Sequence, residues 1–130
     1  MAGTIVANTI NTDTGLFSTN NAYSGIHKAW INFNSSTNTI NASFNVSSIT
    51  LVSTGVTKIT FTTAMADTNY TVTAMGIGGG GGACIWGVDS GTAYTGTPTV
   101  MTTTQVQLSS RNDAGSVTQM GLTMVQVVGN

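Results

Sequence analysis

The chain has 130 residues, a formal net charge of −1 and only 5% charged residues, with no Glu at all. An ordinary domain carries about 25% Asp, Glu, Lys and Arg. Three basic residues, widely spaced, are too few to displace the counterions of a nucleic acid, and near-zero charge favours association over colloidal independence.

At this length one compact core is feasible, burying roughly two thirds of the surface that the unfolded chain exposes. About a fifth of the residues are Thr, Val and Ile are frequent, and Glu, Lys, Arg and Leu are scarce. β-Branched side chains fit a pleated surface and lose rotamer freedom in a helix. The expected fold is therefore all-β, a single antiparallel sandwich or jelly-roll-like domain over residues 25–130, preceded by an extended arm over residues 1–24. No run approaches the roughly 20 apolar residues of a membrane span. The first residues carry neither a basic nor an apolar region of the secretory kind, so folding in a cytoplasm is expected.

In chain order, the arm comes first. Ile5, Val6, Ile10, Leu16 and Phe17 are too widely spaced to form a core of their own. They are expected to dock on a neighbouring subunit, adding a strand or filling a groove. A strand follows over Ile26–Phe33; here Trp30 lies in an apolar run and is expected in the core, as is Trp86. In Asn38–Val46, alternation places Ile40, Ala42, Phe44 and Val46 on one face and Asn41, Ser43 and Asn45 on the other. After Ser48–Ser53, Ile59 and Phe61 share a face against Lys58, Thr60 and Thr62. Tyr70, Val72 and Ala74 share another, with Met75 and Ile77 adding apolar bulk opposite. The last strands are expected at Ala83–Val88, Thr99–Leu108 and Val117–Val128. Turn chemistry separates them at Asn34-Ser35-Ser36, Ser53-Thr54-Gly55, Asp89-Ser90-Gly91 and Arg111–Gly115.

Chemistry-bearing motifs are few. The run Gly76–Gly82 has no following Lys-Ser/Thr and opens no helix, so a hairpin tip or a close approach of chains is expected, not a phosphate loop. His27 has no second ligand at a metal-binding spacing, and Cys84 has no partner for a disulfide or a zinc cage. Cys84 reads as a small buried hydrophobe. Asn34, Asn41, Asn45 and Asn69 head glycosylation sequons that this composition produces by chance. With no nucleophile elbow and no carboxylate pair, no enzyme and no cofactor is expected. Tyr94, in a Gly- and Thr-rich stretch, is the candidate for an exposed aromatic contact.

Three segments resemble a module of tailed-bacteriophage virion proteins: Gly25-Ile26-His27-Lys28-Ala29-Trp30-Ile31-Asn32-Phe33, Ile40–Ile49 with Ala42-Ser43-Phe44-Asn45-Val46-Ser47-Ser48 at its centre, and Ile59–Val72 with Phe61-Thr62-Thr63-Ala64-Met65 and Tyr70. The leader Asn8–Leu16 is similar to short leaders of such proteins. The resemblance implies β-structured trimers on the virion exterior, as tail fibre domains or head decoration proteins, and no catalytic residue. A chain of 130 residues fits a decoration or cement subunit better than a host-reading fibre, which needs length to reach outward. The expected partners are copies of the chain and the major capsid protein or other virion proteins, with no nucleic acid and no membrane. The rival expectation is a fibre module that presents aromatic rings to a host-surface glycan.

Overall fold

The structure, a computed structural model, describes residues 9–12, 15–18, 26–78, 85–88 and 100–129. Within the arm, β1 (Thr9–Thr12) and β2 (Gly15–Ser18) pair antiparallel, with Ile10 opposite Phe17 and Asn11 opposite Leu16. The remaining strands are β3 (His27–Asn34), β4 (Thr39–Phe44), β5 (Val46–Ser53), β6 (Val56–Phe61), β7 (Thr71–Gly78), β8 (Ile85–Val88), β9 (Gln105–Arg111) and β10 (Met120–Val128). They form two four-stranded sheets, ordered β4-β3-β10-β7 and β5-β6-β9-β8, in which every pairing is antiparallel. The all-β sandwich expected from the composition is what the chain adopts.

The core forms because the period-2 alternation of both sheets aims its apolar side inward. Ala29, Ile31 and Phe33 of β3 and Val125 and Val127 of β10 meet Ile59 and Phe61 of β6 and Val106 and Leu108 of β9, all nearly or wholly buried. Met65 and Tyr70 close one end of this core from the segment between β6 and β7. Tyr70 packs edge-on against Phe61, with ring centroids 5.9 Å apart, and its hydroxyl donates to the carbonyls of Thr102 (2.9 Å) and Gln105 (3.1 Å). Burial pushes the Tyr70 hydroxyl pKa up to about 12.

One chain segment builds a whole side of the sandwich. β4 is the edge of the first sheet, β5 is the edge of the second, and Asn45 alone separates them. Asn45 sits at φ 54, a left-handed conformation that Asn tolerates better than most residues. Its amide fixes the corner: Nδ2 donates to the carbonyls of Lys28 (2.9 Å) and Thr63 (3.1 Å), and Oδ1 accepts from the Thr63 N–H (2.7 Å). The Thr62 N–H donates to the Asn45 carbonyl (3.2 Å).

This corner corrects the expected face of residues 38–46. Pairing with β3 slips by one residue at Asn41, so Ile40 lies opposite Phe33 while Ala42 and Phe44 lie opposite Asn32 and Trp30. A bulge reverses the side to which later residues point. Val46, beyond the corner, packs against the core of the other sheet. Trp30 is corrected too. It alternates with the buried Ala29 and Ile31 and is therefore on the outer side, 40% exposed.

Other differences are local. Thr102–Thr104 turn back instead of extending β9: Thr102 Oγ1 accepts from the N–H groups of Thr104 (3.3 Å) and Gln105 (3.2 Å), and the Gln107 N–H reaches the Val100 carbonyl (3.0 Å). Thr hydroxyls compete for backbone donors in this way. The turn between β5 and β6 places Gly55 at φ 70, where an added Cβ would stand 2.6 Å from the Thr118 carbonyl oxygen. Gly76–Gly82 does not cap a hairpin. β7 belongs to the first sheet and β8 to the second, so this stretch joins edge strands of different sheets, and residues 79–82 of it lie outside the described residues.

Candidate functional site

The two sheets present different chemistry to their surroundings, although the far end of edge strand β5 also exposes Leu51 and Val52. On the outer side of β5-β6-β9-β8, ladder partners are polar: Thr50 opposite Lys58, Lys58 opposite Gln107, Ser48 opposite Thr60, and Thr60 opposite Gln105. Such a face is what a free surface needs.

On the outer side of β4-β3-β10-β7, two rows of ladder partners run across all four strands. One is Phe44, Trp30, Gln126 and Thr73; the next is Ala42, Asn32, Met124 and Met75. Ile77 continues the Met75 side of β7. Phe44 is 54% exposed, Met75 67%, Ile77 61% and Met124 41%, beside the Trp30 already described. Isolated exposed hydrophobes are ordinary, but adjoining ones on one sheet face mark a contact surface. The outward residues of these rows include no charged side chain.

The polar groups in the rows are amides and a hydroxyl. Asn41 Nδ2 donates to Asn32 Oδ1 at 2.9 Å, tying the bulge of β4 to the centre of the face. Thr73, Met75, Met124 and Gln126 outline a shallow depression of about 150 Å³. At one end of the face, Ile26, His27, Lys28, Phe44, Asn45, Thr62 and Thr63 line a larger cleft of about 530 Å³. The Asn45 amide in that cleft is already committed to the corner.

The residues expected at an interface are not among those described on this face. Ile5, Val6 and Tyr94 lie outside the described residues, as do Cys84 and the turn Asp89-Ser90-Gly91. Ile10 lies in β1, and Leu16 and Phe17 in β2, of which the backbone pairing is described. Among the described residues, the structure brings together Trp30, Phe44, Met75, Ile77 and Met124. A signal for them existed in the sequence. Trp30 stands out of phase with Ala29, Ile31 and Phe33, and Met75 and Ile77 out of phase with Val72 and Ala74, which assigns all three to the outer side.

Among the described residues, no three His, Cys, Asp or Glu side chains gather where a metal ion would sit, and no helix is long and apolar enough to cross a membrane. The chain matches no protein-family model, no curated protein and no solved structure.

Proposed function

We propose that the chain is a structural protein of a tailed-bacteriophage virion: a homotrimeric capsid decoration or cement protein, made in the host cytoplasm and carried on the virion exterior. It works without catalysis or a cofactor. The observation that carries this reading is the apolar outer face around Trp30, Phe44, Met75, Ile77 and Met124, whose two ladder rows hold no charged side chain, in a chain whose segments 25–33, 40–49 and 59–72 resemble virion modules.

Cementing requires little chemistry. A trimer seated over a threefold point of the shell holds capsomers by burying apolar area and matching hydrogen bonds, not by turning over a substrate. Hydroxyl and amide contacts keep their strength as ionic strength changes, whereas exposed ion pairs are screened. A surface of Thr, Ser and Asn suits that task.

One observation favours a second reading, a fibre module for a host-surface glycan. Trp30 is exposed beside Phe44, its ladder partner, with the amides of Asn32 and Gln126 close by in the same rows. An exposed ring flanked by amides is the chemistry that stacks on a sugar and bonds its hydroxyls.

An electron cryo-microscopy map of the virion, recorded also after mild heat or EDTA, separates the two. Density for the chain as trimers on the capsid, lost as heads become fragile, is the expected result. Density confined to a tail or a projecting tip would overturn the cement reading in favour of the glycan one.

A further inference from the structure

We infer that the outer face of the β4-β3-β10-β7 sheet is where one copy of the chain packs on another, with Trp30, Phe44, Met75, Ile77 and Met124 at its centre. This deepens the assembly reading above and rests on it in one respect, the expectation of a homo-oligomer.

Three observations select a second copy as the occupant. The first is charge. The outward positions of the rows, Phe44, Trp30, Gln126, Thr73, Ala42, Asn32, Met124 and Met75, include no ionised group, and the whole chain has a net charge of −1. Copies can bring these rows together without repulsion and without an oppositely charged partner, Lys28 lying outside them in the cleft at one end of the face. The second is hydrogen-bonding capacity. Asn32, Gln126 and Thr73 each carry both donors and acceptors, so the polar part of the face is complementary to itself. The third is area. Five large side chains with 40 to 67% of their surface exposed present on the order of 500 Å² of apolar surface, at the upper end of what a monomer leaves open. Burying that patch on each copy, with its polar rim, approaches the roughly 1,200–2,000 Å² of a stable interface.

The composition of the site also suits a contact. The aromatic pair Phe44 and Trp30 and the methionine pair Met124 and Met75 reach from the edge strands to the central ones, and the amides of Asn32 and Gln126 lie between the two pairs. Aromatic side chains and Met are enriched in the cores of such contacts.

Sedimentation velocity of the purified full chain over a wide concentration range tests the inference. The wild type is expected to associate. Met75→Lys and Met124→Lys, which each place an ammonium group in the middle of the contact, are expected to weaken association at least a hundredfold. Thr50→Lys and Gln107→Lys, on the outer side of the other sheet, are expected to change it less than threefold. Thermal melts check that each variant folds; should a Lys variant fail that check, Met75→Gln is expected to weaken association about tenfold. A wild type that stays monomeric throughout, or Lys variants at Met75 and Met124 that associate as the wild type does, would overturn the inference.

The virion map distinguishes this failure from failure of the functional reading. If the face lies against a different virion protein, the function stands and self-packing falls. If the chain associates through this face yet is missing from virions, self-packing stands and the virion role falls.

Discussion

The two sheets are built alike on the inside and differently on the outside. Each aims an alternating set of buried apolar residues at the other, Ala29, Ile31 and Phe33 from β3 against Ile59 and Phe61 from β6. Outside, β6 shows Lys58 and Thr60 among Gln and Ser, while β3 shows Trp30 and Asn32 between Phe44 and Met124. Folding needs only the inner faces, so the outer faces are free to differ. A chain this short of charge has no reason to keep Met75 67% exposed unless something covers it.

That comparison breaks first if the inner faces are not the source of stability. Phe33→Ala empties a fully buried site between the sheets and is expected to cost about 3–5 kcal/mol in denaturant unfolding. A loss no larger than that of Met75→Ala would show that the outer face contributes to the fold itself. The next largest effect is expected at the corner that lets one segment serve both sheets. Asn45→Ala loses three side-chain hydrogen bonds and strains a left-handed backbone, at about 2 kcal/mol.

Tyr70→Phe is expected to cost about 1–1.5 kcal/mol at neutral pH, because the hydroxyl joins two carbonyls. It also changes the alkaline limb. The Tyr70 pKa is about 12 in the fold, against 10.0 for an unperturbed tyrosine. The folded state therefore holds the proton more tightly, and this stabilisation is complete below pH 10 and drains as pH rises to about 12. Unfolding curves against pH are expected to show that decline in the wild type and a shallower one in the variant.

The smallest effect sharpens the comparison from within. Thr123 of β10 faces inward, opposite Phe33, wholly buried, and its hydroxyl has no hydrogen-bond partner. Thr123→Val keeps the shape and removes that hydroxyl, so a gain of about 1 kcal/mol is expected in the melting transition. It should leave association unchanged, since an inner residue does not reach the contact face.

Much of the sandwich was legible because alternation survives wherever the ladder is regular. The faces of β6 and β7 follow from the sequence, since Ile59 and Val72 each lie in an unbroken period of two, whereas in β3 the apolar run hides the outward phase of Trp30. The faces of β4 do not follow, because a bulge at Asn41 and a corner at Asn45 each reset the phase, and alternation carries no mark of either. The end of β9 was misplaced for a related reason. Thr102–Thr104 are β-branched and favour strands by composition, yet their hydroxyls bind nearby backbone groups and make a turn. The contact face was half legible. Parity places Trp30, Met75 and Ile77 outside, but the apolar run around Trp30 argues for its burial. Only the register across four strands shows that residues from β3, β4, β7 and β10 adjoin.

Methionine oxidation by dilute peroxide, followed residue by residue in the purified chain when dilute and when concentrated, tests the central claim most directly. Met75 and Met124 report the outer face, and the buried Met65 and Met120 are the internal reference. The account predicts that Met75 and Met124 oxidise readily in dilute protein and become at least tenfold slower as the chain associates, with the reference residues slow throughout. Met75 and Met124 oxidising at the same rate at both concentrations, in protein shown to have associated, would contradict it.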